Sequence, residues 1–533
     1  MKKIIITLFV LAFCFSSVFG QKVRYIHQIF DSITISQVAY GQNATVLPVP
    51  VTGHALKVPL LAEIYAPKGD TVTKRPLIIY AHTGNFLPFP LNGSASGATY
   101  LPAGSPYAAI AALGMGFPKD SALVEMCTRL AKMGYVVAAI DNRTGWNPLA
   151  DNQPERVNTL INAAYRGVQD FRTAIRYFKY TVLAAGNPYR LDTSKIVGWG
   201  QGTGGYITMA AATMDSYLDI VFKSSNKFIG NNGLPFVIEQ VHGNIYGTSV
   251  GVNPLNGDTL CYPNFPGINS DFQLCVNLGG ALADSQWIDA TDIPMIGFHE
   301  PRDFFAPYKE GTVQVPIGGG ATLPVVTVQG SYLVAYKVNQ FGLNKAMKDL
   351  KLNDPITQVA NKKNDGLEGL YPLNGNALQP LDSDPWTWWD TTYMSAVEKQ
   401  SGRLNNTNGL FQNPDMSAAK ARRYIDTIIG YFAPRAFAVL KLGTFTATPD
   451  LLKESQVGLK IMPNPVTTHT TIQTNIENKM KSITLFDING KALGTSKMNT
   501  NQYVLQRNNL PAGIYYLQIG FDKGVVTKSI VVQ

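Results

Sequence analysis

Two periodicities run along this 533-residue chain and divide it in two. Between residues 76 and 298, short apolar runs alternate with amphipathic ones. Pro76–Ala81, Tyr135–Ile140, Lys195–Trp199, Phe272–Asn277 and Ile293–Phe298 are nearly continuous in apolar residues, the mark of strands buried on both faces. Asp120–Met133, Asn158–Leu183 and Tyr206–Met214 carry helical spacing between them. Alternation of this kind predicts an α/β fold, a mostly parallel sheet with helices on both faces. Ligands of such sheets sit beyond the carboxyl ends of the strands. Near the end the period falls to two. Ser482–Phe486, Tyr503–Gln506, Ile514–Ile519 and Val525–Val532 are separated by turn residues and predict a small antiparallel β-sandwich. The expected division is a main domain over 21–445, a linker over 446–457 and a tail domain over 458–533.

The amino terminus reads as a secretory signal peptide over residues 1–20. Met1-Lys2-Lys3 is a short basic start, Ile4–Phe13 is apolar, and Val18-Phe19-Gly20 precedes a cut at Gln21; the apolar run is too short to span a bilayer. Phe13 before Cys14 is bulky where lipidation wants a small residue. No later stretch is long and apolar enough to cross a membrane. The expected product is soluble or surface-attached.

Composition changes the picture little: 45% hydrophobic, 11% aromatic and 15% charged describe a folded globular chain. The net charge of +9 includes Lys2 and Lys3, and the remaining basic residues are scattered apart from Lys420–Arg423. Nucleic-acid binding wants a basic stripe, so it is not expected. Cys261 and Cys275 flank one loop segment, and in an exported protein they predict a disulfide. Cys127 falls in a helical pattern and reads as a buried thiol. No cysteine and histidine spacing suits zinc, and no cofactor is expected.

The informative gap lies after the Lys195–Trp199 strand. Gly200-Gln201-Gly202-Thr203-Gly204 stands between strand and helix, the context of the G-x-S-x-G nucleophile elbow. Glycine occupies the serine position. The same glycines satisfy G-x-G-x-x-G, but a dinucleotide fingerprint opens the first βαβ unit of its fold, and here several elements come first.

Two resemblances follow from these motifs. Pro463-Asn464-Pro465, Asp487–Lys491 and Leu510–Tyr515, in order with the tail strands, make the tail resemble the type A C-terminal sorting domain of the type IX secretion system of Bacteroidota. That resemblance implies the secretion machinery as partner, passage across the outer membrane, and release or attachment at the cell surface. Residues 55–440 resemble the α/β-hydrolase fold, specifically bacterial carboxylesterase-like members. His82-Thr83-Gly84-Asn85-Phe86 is similar to the family's H-G-G-x-F oxyanion loop, and Thr203 stands where a backbone N–H joins that hole. Asp303, after the seventh strand, matches the acid of the triad. Gly366-Leu367-Glu368-Gly369 matches the turn that carries the histidine, so Glu368 stands at the histidine position.

The resemblance therefore implies a scaffold whose nucleophile and histidine are both replaced. Triad groups act as a unit, so loss of the nucleophile alone costs orders of magnitude in rate. A literal G-x-S-x-G at Gly247–Gly251 offers Ser249, with His242 nearby, but leads into a turn-rich loop rather than a helix. Trp386, Trp388 and Trp389 read either as an aromatic wall for a sugar, aromatic or acyl ligand or as the packing of a cap. The leading expectation is a non-catalytic pseudo-hydrolase that binds a small-molecule, ester or polymer ligand or a partner. The alternatives are an active extracellular esterase using a non-standard site, and a structural surface protein.

Overall fold

The computed structural model describes residues 22–533 except 225, 319–320, 375–382, 444–451, 489–491 and 523. The expected signal peptide and the first half of the expected linker lie outside the described residues; Glu454–Val457, at the linker's end, forms a helical turn. The chain separates into two compact units, 1–444 and 445–533.

The first unit is built on eight strands: β1 (Ile33–Thr45), β2 (Leu56–Pro67), β3 (Arg75–Ala81), β4 (Val136–Ile140), β5 (Leu191–Gln201), β6 (Leu274–Leu278), β7 (Met295–His299) and β8 (Leu370–Pro372). Their order is β1-β2-β4-β3-β5-β6-β7-β8. Only β2 runs against the rest: it pairs antiparallel with β1 and β4, and every other neighbouring pair is parallel. Every residue of β3, β4 and β6 is buried, as their unbroken apolar runs require.

Helices cover both faces. α1 (Ser121–Lys132) and α5 (Ala418–Val439) lie on one, where Phe432 meets Trp199 edge-on at 4.9 Å and Trp199 stacks on Tyr80. α2 (Gln153–Ala184), α3 (Thr203–Thr213) and α4 (Ser331–Gln340) lie on the other. There Phe171 and Phe272 close over Gly198, which has no room for a side chain. Eight strands in this order, with one reversed, are the α/β-hydrolase arrangement.

The second unit holds two antiparallel sheets. Lys460–Met462, His469–Gln473 and Gln502–Gln506 form one; Ala492–Thr500, Met480–Phe486, Gly513–Phe521 and Gly524–Val532 form the other. Ile472 of the first shares a core with Ile483, Leu517 and Ile530 of the second. Among the described residues no helix is long and apolar enough to cross a membrane.

Candidate active site

β5 ends in a sharp turn that starts α3. Gly202 has φ 53 and ψ −118, and its N–H donates to the Leu278 carbonyl at 2.8 Å. That conformation is strained for any residue with a β-carbon, as it is for the serine of a nucleophile elbow. Glycine holds it freely. The elbow's shape is kept, and a β-carbon on Gly204 would overlap the Ala81 carbonyl of β3. Close packing of strand and helix accounts for this glycine.

The space in front of Gly202 is filled from the neighbouring loop. A β-carbon added at Gly202 would overlap the Thr83 hydroxyl and stand 2.8 Å from Thr83 Cβ. Thr83 is buried, and its hydroxyl makes no hydrogen bond among the described residues. Thr203 is the first residue of α3, so its N–H has no partner within the helix.

The loop carrying Thr83 is firmly held. His82 Nε2 lies 3.3 Å from Asp141 Oδ1, and its Nδ1 lies 2.5 Å from the Thr83 carbonyl. Burial alone would depress this imidazole; the Asp141 carboxylate, with Asp120 behind it, outweighs burial and raises His82 above its ordinary value. Gly84 has φ 145, and Asn85 and Phe86 both have positive φ. Their conformation is fixed by Trp146 Nε1–H donating to the Asn85 carbonyl at 2.8 Å and Gly145 N–H donating to that of Phe86.

Asp303 follows β7. Its Oδ1 accepts the N–H groups of Phe305 and Ala306, and its Oδ2 accepts the Ser383 hydroxyl at 3.3 Å. Burial, and then the Asp384 carboxyl, push it well above the carboxylate range. The chain beyond β8 thus brings Ser383 and Asp384 to Asp303. Asp384 Oδ1 also lies 3.7 Å from where a β-carbon on Gly279 would stand, just past β6. The sequence holds no histidine between His299 and His469.

Glu368 does not meet these groups. It precedes β8, at the amino edge of the sheet, where its Oε1 accepts from Arg435 Nε at 2.6 Å. Gly366–Gly369 leads into the last strand rather than out of it, so the expected histidine position is corrected: the segment after β8 contains Ser383 and Asp384.

The disulfide expectation is also corrected. Cys261 and Cys275 are separate buried thiols. Cys275 sits within β6, its thiol pushed up to about 12 by burial; Cys261 ends a small hairpin beside Gly243. Ser249 is likewise committed elsewhere. Its Oγ accepts the Asn244 N–H at 2.8 Å, and His242 Nδ1 bonds the Ile238 backbone, its ring lowered to about 4 by burial and then by Arg166.

The three tryptophans divide. Trp386 is fully buried, its ring edge 3.1 Å from where a β-carbon on Gly279 would stand. Trp388 faces the Arg422 guanidinium at 5.4 Å. Trp389 Nε1–H donates to Asn406 Oδ1 at 3.0 Å. The segment that follows them reaches the loop after β3 through Asn405, whose Nδ2 donates to Pro90 O, Asn92 Oδ1 and Ser94 O. Away from this site, Asp215, Asp289 and Asp292 gather their carboxylates, and Lys223 lies 3.8 Å from Asp289; nothing further points to an ion there.

Residues 460–533 match the family described as the secretion system C-terminal sorting domain. No curated protein matches the chain. Among solved structures, native esterase 2 of Thermogutta terrifontis aligns at 14% identity over 74% of this chain and 99% of that one, with a TM-score of 0.29. Its propionate-bound form aligns at 15% identity over 68% and 93%, also at 0.29. A truncated carbohydrate esterase from gut microbiota aligns at 15% identity over 53% and 81%, at 0.25. These scores add nothing to the strand order, on which the fold assignment rests. The chain carries a domain of α/β-hydrolase fold followed, at 460–533, by a type IX secretion C-terminal sorting domain that marks it for export and attachment at the cell surface.

Proposed function

We propose that the exported domain is a non-catalytic member of the hydrolase scaffold, a binding protein at the cell surface. The observation that carries the reading is the exchange at the elbow. Gly202 has no group to attack with, and Thr83 fills the volume in front of it. An ester hydrolase of this kind needs a hydroxyl, a base to take its proton, and a third group to orient the base. Here Asp303 is paired with Ser383 and its carboxyl is pushed up by burial and then by Asp384, and no histidine lies between β8 and the tail domain. What remains is the amino end of α3, which suits a carbonyl or carboxylate oxygen.

A second reading has one observation in its favour. The Thr83 hydroxyl stands beside the amino end of α3 with no hydrogen-bond partner among the described residues, so it is the group a non-standard esterase would use.

One experiment separates the two. The purified chain is incubated with aryl butyrate and longer aryl esters and with a fluorophosphonate probe. The binding reading expects no turnover above the buffer blank and no labelling, with the aryl ester detected as bound by saturation-transfer NMR. Turnover that disappears in Thr83→Val assigns the domain as an enzyme and overturns the proposal.

A further inference from the structure

A second surface lies on the same edge of the sheet as Gly202. β2 pairs with β4 as far as Ala62 opposite Ile140. Leu56, opposite Thr45, lies six residues further on, so the loop between β1 and β2 projects beyond the carboxyl edge. Beside it stands a hairpin whose strands are Gly251–Val252 and Thr259–Cys261. Asp258 fastens the two together. Its Oδ1 lies 3.0 Å from His54 Nδ1, its Oδ2 accepts the Ala55 N–H at 2.7 Å, and Asn256 Nδ2 donates to the Gly53 carbonyl.

The fastened pair presents aliphatic side chains to solvent. Val51 is 90% exposed and Leu255 93%, the tips of the two loops; Val49, Leu56, Val250 and Val252 are exposed around them. Single exposed aliphatics are ordinary, but six on two loops fastened together mark an interaction surface. Side chains so fully exposed are protrusions, not the walls of a groove, and fit a soft, flat partner better than a protein knob. Charge points the same way. Across 46–57 and 248–263 the only lysine, arginine, aspartate or glutamate residues are Lys57 and Asp258, and Asp258 is occupied by the clasp. Lys57 remains at the rim, its ammonium 4.4 Å above the Tyr262 ring, a cation and an amphipathic aromatic at the level where a bilayer's headgroups would lie.

We infer that this paired-loop tip is a peripheral lipid-contact surface, inserting Val51 and Leu255 among the headgroups of an anionic membrane. Export to the cell surface brings the chain beside a membrane, and the tip faces the same way as the candidate site. The inference stands apart from the binding reading, because it needs nothing of Thr83 or Gly202.

The test is co-sedimentation of the full chain with vesicles of phosphatidylethanolamine and phosphatidylglycerol, beside Val51→Asp/Leu255→Asp. Both positions stand outside the core, so the double variant keeps the wild-type melting temperature. The wild type is expected in the vesicle pellet, and the double variant is expected to partition at least about tenfold more weakly. Lys57→Glu is expected to weaken partition on anionic vesicles more than on phosphatidylcholine vesicles. Absence of the wild type from the pellet, or equal pelleting of wild type and double variant, overturns the inference. A wild-type dimer in light scattering that the double variant abolishes, without pelleting, assigns the tip to a second copy and also overturns it.

Discussion

The Thr83 hydroxyl occupies the volume that any side chain at Gly202 would need. Where the family's loop reads H-G-G, this chain has His82-Thr83-Gly84, and where the family has serine it has Gly202. One side of the contact carries a side chain and the other has none. Gly202→Ser alone meets two penalties, the overlap with Thr83 and the strain of its positive φ, and should cost about 2–4 kcal/mol together. Thr83→Gly/Gly202→Ser removes the overlap and should recover about 1–3 kcal/mol of that. Scanning calorimetry of the wild type, Thr83→Gly, Gly202→Ser and the double variant measures the coupling. A double variant no more stable than Gly202→Ser would mean that the two residues are independent.

Rebuilding a triad requires three sites on one edge of the sheet. Thr83→Gly/Gly202→Ser/Asp384→His restores a serine at the elbow and a histidine beside Asp303. It should label with a fluorophosphonate probe and hydrolyse aryl butyrate above the blank. Gly202→Ser/Glu368→His should do neither, because position 368 lies at the opposite edge. Activity in the second variant would overturn the geometry given for the last strand.

Glu368 instead predicts a stability effect. Arg435 is fully buried and its guanidinium faces the Glu368 carboxylate. Removing one partner leaves a buried charge uncompensated, so Glu368→Gln should cost about 3–5 kcal/mol. Urea denaturation reads the loss, and ester binding by saturation-transfer NMR should be unchanged below the transition.

What the sequence made legible follows the strength of its periodic signal. β3 to β7 are apolar runs bounded by turns, and the elbow stands out because glycines crowd one strand–helix junction. β1 and β2 carry mixed polar and apolar positions; β1 is exposed over most of its first half and leaves no continuous run. β8 is three residues long, too short to show a period, so in the sequence the turn before it is not distinguished from the turn expected after it. Cys261 and Cys275 are close in sequence but belong to different sheets, and nothing local in the chain separates them. The contact between Thr83 and Gly202 joins a loop and an elbow from different strands, and only the fold brings them together.

Asn405 fastens the cap. Its Nδ2 serves three acceptors in the loop that follows His82–Phe86. Asn405→Ala leaves those acceptors short of a donor and should cost about 1–3 kcal/mol. The local effect is the sharper reading: hydrogen exchange should rise in residues 85–97 and in the helix Asn405–Gln412, while β3 to β7 stay protected. Uniform exchange across the domain would show that the contact supports the whole fold rather than the cap.

Asp303 gives the pH dependence. In the unfolded chain its carboxyl titrates near about 3.9; in the folded domain burial and then Asp384 hold it well above that. Between the two values the folded state binds the extra proton, so this group's contribution to stability falls as pH rises. Below the unfolded value both states are protonated and nothing is lost; above the folded value the whole penalty of a buried carboxylate is present. Asp303→Asn keeps Oδ1 for the Phe305 and Ala306 N–H groups and cannot ionise. Its stability should match the wild type near pH 3.5. At pH 8 it should exceed the wild type by more than about 1 kcal/mol, read as the difference in unfolding midpoint across a pH series. A variant less stable than wild type at pH 8 would mean that the ionised carboxylate is held by a partner stronger than Ser383, and would return Asp303 to the role of a charged acid.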